Sequence, residues 1–234
     1  MSEPAVLVAH ERGAVRQVVA RVLQQEGFVV TAAATAEEMS ALLEARAWGG
    51  LVLDVALGGA APWSACERAR ALVQQGRGAR AVVLVASVYR STSYKRRPTS
   101  LYGADDYVEL HHVGDALPSK LRRALGLAPA AADPHLDAGE ALRREGDLRL
   151  SEQAAAADLA RLIVADVILY NGDRIVGAED LDTAERAIAS DLASARELFL
   201  QLARPAAAAA GGDPIGAAFE DLMRALGRRR RGTT

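Results

Sequence analysis

The sequence predicts an α/β chain in which a five-stranded parallel sheet with crossover helices precedes a small all-helical module. Three observations predict it. From residue 5 to residue 125 short apolar runs alternate with amphipathic stretches, giving five strand–helix pairs. The middle runs are nearly all apolar, as strands covered on both faces are. After Leu125 a proline- and alanine-rich stretch breaks the pattern, and apolar residues then recur at spacings of three and four, the helical period.

The predicted strands are residues 5–9, 29–33, 51–55, 81–86 and 106–109. Val15, Val18, Val19, Val22 and Leu23 form one face of the first helix, which stops at Gly27. Thr35 and Glu38 have capping-box spacing and open the second helix. Residues 1–126 are expected to form the first domain, 127–150 a linker and 151–234 a helical module ending in a basic tail. Within that module a helix is predicted over 151–171, ended by an Asn171-Gly172-Asp173 turn, and a second over 180–203. A third opens with Asp213 as cap and Pro214 at its first position. Residues 205–212 read as a flexible connector.

Composition excludes several function classes. The 234 residues are half hydrophobic and a quarter charged with net charge −2, the profile of a soluble globular chain, although abundant alanine adds little core volume. That balance argues against broad attraction to nucleic acid. Cys66 is the single cysteine, so neither an internal disulfide nor a thiolate metal cluster is available, and a reducing cytoplasm is the expected setting. No export signal or membrane span is read. Gly58-Gly59 lacks the glycine and lysine of a phosphate-binding loop, and the adjacent His111 and His112 lack zinc-site spacing. Asp105 and Asp106 read as a turn leading into the fifth strand, not as paired catalytic carboxylates. The basic stretches at residues 90–97 and 228–231 read as solvated cations.

The order of motifs resembles the receiver family of response regulators. Val6-Leu7-Val8-Ala9-His10-Glu11 ends the first strand, Leu51-Val52-Leu53-Asp54 ends the third, Ser87 follows the fourth and Gly103-Ala104-Asp105-Asp106-Tyr107 enters the fifth. The resemblance covers residues 5–125. It implies a doubly wound, flavodoxin-like sheet with its site at the carboxyl ends of the strands. It further implies Asp54 as phosphoacceptor, an acidic pair after the first strand holding magnesium, Ser87 and Tyr107 as phosphoryl-sensing and switch residues, and a lysine pairing with the phosphoryl group.

The chain departs from that pattern at two positions. His10 stands at one acidic-pair position, and an imidazole is a poor substitute for a hard oxygen ligand of magnesium. Leu110 stands at the lysine position and His111 at the customary proline. Glu11, Asp54 and the carbonyl of Ala56 still form a candidate metal set, so Mg2+ binding is expected to be weak or absent. Losing a metal ligand and the cation together should impair phosphoryl transfer, which depends on positioning and charge neutralisation. For Asp54 the competing reading is a polar strand end bonded to backbone. Ser87 competes with a register in which Ala86 takes the hydroxyl position, and Tyr107 with simple half-buried packing.

The function expected from these observations is a signal-transduction adaptor acting through protein contacts and not an enzyme. Its partner would be a histidine kinase or a downstream signalling protein. A phosphorylated two-component regulator with a helical, transcriptional output is the alternative, although neither long C-terminal helix reads as a basic recognition helix. A homodimer through the C-terminal helices is also expected, because the apolar positions from Leu159 to Tyr170 spread too widely for three alanine-rich helices to cover.

Overall fold

The computed structural model describes residues 4–58, 62–86, 98, 100–129, 135, 137–138, 140–142, 156–203 and 212–227. The chain divides into two compact units, Met1–Tyr89 with Tyr102–Glu145, and Arg90–Leu101 with Gly146–Thr234.

In the first unit β1 (Ala5–Ala9), β2 (Val29–Ala33), β3 (Ala47–Asp54), β4 (Gly78–Ala86) and β5 (Asp106–Glu109) form one all-parallel sheet in the order β2-β1-β3-β4-β5. Helices α1 (Gly13–Gln25), α2 (Ala36–Ala45), α3 (Pro62–Val73) and α4 (Val113–Ala124) cover it, α1 packing on α4 and α2 on α3. Val15, Val19, Val22 and Leu23 are the buried face of α1, and Gly27 supplies the positive φ (80°) that turns the chain into β2. Thr35 caps α2 by accepting from the Glu38 N–H at 3.2 Å, while the Glu38 carboxylate accepts from the Ala34 N–H. The helix expected between β4 and β5, with the basic residues 90–97, lies outside the described residues.

β3 and β4 begin earlier than the predicted strands. Trp48 pairs with Ala79 and is buried, its indole N–H donating to the Leu42 carbonyl at 2.9 Å. Gly50 fits within β3 because Leu121 of α4 fills the space above it, Cδ1 standing 2.7 Å from where a Cβ would be. The sheet core of Val6, Val8, Val52, Val83 and Val85 is continuous with Val19 and Leu23 of α1 and Leu117 and Leu121 of α4.

Within the stretch expected to be a linker, Leu127 packs against this core, residues 137–138 and 140–142 are helical, and Ala138 and Leu142 are buried. The apolar spacing there is too short to register as periodicity, yet the two side chains find a surface already made by α1 and α4.

The second unit has five described helices: α5 (Ala156–Tyr170), α6 (Gly172–Val176), α7 (Leu181–Ala187), α8 (Ala189–Leu202) and α9 (Pro214–Ala225). Two sequence expectations are corrected here, and the corrections are linked. The Asn171-Gly172-Asp173 turn is instead the start of α6, and the helix expected over 180–203 breaks at Ile188, where φ is −118° and ψ 22°. The break is accommodated by Arg174 of α6, which donates to the Ala187 carbonyl at 3.3 Å and pairs with the buried Asp191 at 3.3 Å. Asp213 caps α9 as expected, accepting from the Gly216 N–H at 2.9 Å, with Pro214 in the first turn.

The reason given for self-association does not hold in the structure. Leu159, Ile163, Val164, Val167, Ile168 and Tyr170 are all buried within the chain. The expectation assumed three helices; α8 and α9 pack on α5, and α6 adds a further contact. Residues 151–155, 205–211 and the tail 228–231 lie outside the described residues.

Candidate functional site

The sheet order reverses direction between β1 and β3, and in open α/β sheets ligands bind beyond the carboxyl ends of the strands at such a point. Register places two candidates there. Ala9 pairs with Leu53, so His10 and Asp54, each one residue further on, arrive side by side.

His10 and Asp54 are each only 2% exposed, and His10 Nε2 stands 3.4 Å from Asp54 Oδ2. The Arg12 backbone N–H donates to His10 Nδ1 at 3.1 Å. A ring that accepts at Nδ1 carries its proton on Nε2 when neutral, so the nitrogen facing Asp54 is an N–H. The other carboxylate oxygen, Oδ1, accepts from the Ala56 N–H at 3.0 Å, and the Leu57 N–H bonds back to the Asp54 carbonyl at 3.2 Å, closing a tight turn. Both carboxylate oxygens of Asp54 therefore face donors supplied by the chain itself.

Of the other candidates, Glu11 is half-buried and Ala56 buried, beside this pair in sequence. Ser87 lies outside the described residues. Leu110 is 1% exposed and belongs to the apolar core, together with Val108, Val113 and Leu117. His111 Nε2 lies 3.6 Å from Glu109 Oε2, and the His111 and His112 rings are 4.2 Å apart.

Tyr107 pairs with Leu84 and is half-buried. Lys120 of α4 donates to its carbonyl at 2.7 Å, with Nζ 5.1 Å from the ring centroid. The same ammonium reaches Asp106 Oδ1 at 2.8 Å, and Arg123 bonds to Asp106 Oδ2. Asp105 accepts from the Val82 N–H at 2.7 Å and pairs with Arg70. Asp105 and Asp106 thus have structural work at the entry of β5, as the sequence suggests.

Sequence reasoning passed over Arg12 and Arg16. Arg12 is buried at the start of α1, and Arg16 donates to the His10 carbonyl. Their position next to the acidic-pair site was the available signal.

Magnesium, which the receiver resemblance implies, requires oxygen ligands in near-octahedral geometry. An imidazole N–H facing Asp54 is a hydrogen-bond donor and not an oxygen ligand. Among the described residues, no group of three or more His, Cys, Asp or Glu side chains is arranged to hold a metal ion. At His10 the residue present does not match this ion's preference for oxygen ligands.

The strand order and the crossover helices define the first unit as a doubly wound, flavodoxin-like parallel sheet. Among solved structures it is similar to the chemotaxis response regulator CheY4 of Vibrio cholerae, at 18% identity and TM-score 0.40 over 53% of this chain and 97% of that one. It is similar also to the response regulator TrrA of Thermotoga maritima in complex with Mg2+ and BeF, at 22% identity and TM-score 0.42 over 52% and 98%. A third is a CheY-like receiver domain protein of Methanospirillum hungatei, at 19% identity and TM-score 0.39 over 62% and 99%. The likeness is one of fold. No family model and no curated protein matches the chain.

Proposed function

We propose that the chain is a two-component signalling adaptor whose receiver-type unit works through protein contacts, without catalytic turnover and without magnesium-dependent phosphoryl transfer at Asp54. One observation carries this reading: His10, buried and 3.4 Å from Asp54, occupies the place of a metal-binding carboxylate. Leu110 supports it, because an apolar core residue at the lysine position leaves no cation there to neutralise a phosphoryl group. A histidine kinase or a downstream signalling protein is the partner class that suits a receiver-type unit, and the cytoplasm is the compartment that suits both. The apolar face of α5 gives no argument for self-association through the C-terminal helices, since it is covered by its own chain.

A second reading keeps Asp54 as phosphoacceptor of a response regulator with a helical output. The observation favouring it is the placement of Asp54 at the switch point, with its carboxylate oriented by the Ala56 N–H. The two readings separate when the protein and its Asp54→Ala variant are incubated with acetyl phosphate, or with beryllofluoride, in the presence of magnesium. Mass and intrinsic fluorescence unchanged at millimolar ligand support the adaptor; an Asp54-dependent mass increase or spectral shift overturns it in favour of the regulator.

A further inference from the structure

Asn171 is the only asparagine in the chain, and Gly172 follows it. An amide side chain before a glycine is chemically labile, because a residue without Cβ leaves its backbone nitrogen free to swing onto the preceding side chain. The Gly172 nitrogen loses its proton and bonds to Asn171 Cγ, the Cγ–Nδ2 bond breaks, and ammonia leaves with that proton. Water then opens the five-membered imide at either carbonyl, giving aspartate or isoaspartate. Water is the one co-reactant, and no electrons are exchanged with an oxidant or reductant.

The fold holds each participant away from this reaction. Asn171 is 0% exposed, and its Nδ2 donates to the Val167 carbonyl at 3.0 Å, which anchors the leaving group to α5. Ring closure needs the Gly172 nitrogen on the side of the Asn171 Cβ, whereas a ψ of 24° at Asn171 turns that nitrogen away from it. The backbone is fixed in this conformation. The Asn171 carbonyl accepts from the Arg174 and Ile175 N–H groups, each at 3.1 Å, and the Asn171 N–H donates to the Val167 carbonyl at 3.1 Å. Gly172 is itself buried as the first residue of α6.

The products do not suit the place. An aspartate loses the Nδ2 donor and puts charge where Oδ1 already finds no hydrogen-bond partner among the described residues. An isoaspartate routes the chain through the side chain and adds a methylene to the backbone between α5 and α6. We propose that Asn171–Gly172 is a latent deamidation site, protected in the folded helical unit and converted when that unit unfolds, and that conversion prevents the unit from re-forming. The site is a one-way record of unfolding, a state that every folded unit visits as a small population. This inference does not depend on the state of Asp54, and its test does not involve that residue.

The test incubates the full chain at mildly alkaline pH in native buffer and in concentrated urea, and follows intact mass. With a single asparagine in the sequence, replacement of NH2 by OH reports Asn171, and Asn171→Gln in urea is the blank. The expected result is conversion in urea, and conversion at least about tenfold slower in native buffer, because few chains are unfolded at any moment. Equal rates in the two buffers overturn the proposal, as does the absence of conversion in urea. Converted chains, separated by their added negative charge, are then returned to native buffer beside unconverted chains carried through the same step. Amide exchange in α5 is expected to lose its protection in the converted chains while β1, β3 and β4 stay slow. Asn171→Asp, expressed directly and never exposed to urea, is expected to lose α5 protection as well. Protection of α5 equal to that of the unconverted protein, in the converted chains or in Asn171→Asp, overturns the proposal.

Discussion

Replacing His10 by aspartate should turn the first unit from indifferent to magnesium into dependent on it. The wild-type pair sets an imidazole N–H against Asp54 Oδ2 at 3.4 Å. Aspartate is shorter than histidine, so the two carboxylates of the variant would stand about 5 Å apart, where like charges repel by about 3 kcal/mol at an effective dielectric of about 20. In chelator the variant should therefore melt roughly 10 °C below wild type. A magnesium ion shared by the two carboxylates removes that repulsion, and ligand at about a hundredfold over its dissociation constant adds about 2.7 kcal/mol to the folded state. Thermal unfolding followed by far-UV circular dichroism, in chelator and in millimolar magnesium, reads both effects. Wild type should show the same midpoint in both buffers, and the variant should recover most of its loss in magnesium. A wild-type midpoint that rises with magnesium as far as the variant's would refute the reasoning, because the His10 site would then bind the ion itself.

Three further outcomes follow from the packing. Ile163→Asp buries a carboxylate in the middle of α5, where Ile163 is fully enclosed; it should cost about 4 kcal/mol or more and abolish the helical unit's unfolding transition. Light scattering should show no change from a dimer's mass to a monomer's, and such a change in a chain that keeps its helical transition would restore the self-association reading. Asp213→Ala removes the cap of α9 and the partner of Arg196, and should cost about 1 kcal/mol in denaturant unfolding. The Arg196 guanidinium, followed by the Gly216 N–H, holds the Asp213 carboxyl below its ordinary range. A carboxyl whose folded value is depressed stabilises above its unfolded value, so the difference between wild type and variant should be full at neutral pH and shrink as acid protonates Asp213. A difference that grows on acidification would contradict this. Finally, Cys66 should resist a thiol-reactive disulfide reagent at pH 8 in the native protein and react at once in denaturant, its thiol being buried and pushed up to about 12; rapid reaction of the folded chain would contradict the packing of α3.

Local pattern was enough for much of the fold. β1, β2 and β5 have the bounds that alternating apolar runs imply, and Thr35, Gly27, Asp213 and Pro214 mark helix ends through bonds made within a few residues. The strand positions of His10, Asp54 and Leu110 were legible for the same reason, since a short strand ending in a polar or bulky residue is a local feature of the text. Ser87 carries the same kind of expectation but lies outside the described residues.

What required the third dimension was every feature whose partner is distant in sequence. β3 runs through Gly49-Gly50, a turn signal by itself, because β4 pairs with it and Leu121 covers Gly50. The helix over 180–203 divides at Ile188 because Arg174 arrives to take the Ala187 carbonyl, and Leu142 is core because α1 and α4 are there to receive it. The site follows the same division. The sequence by itself determined which groups reach the switch point, an imidazole and a carboxylate at two strand ends. Only the tertiary structure decided that they face each other at 3.4 Å, because parallel register aligns Ala9 with Leu53 and burial removes the water that would otherwise separate the two side chains.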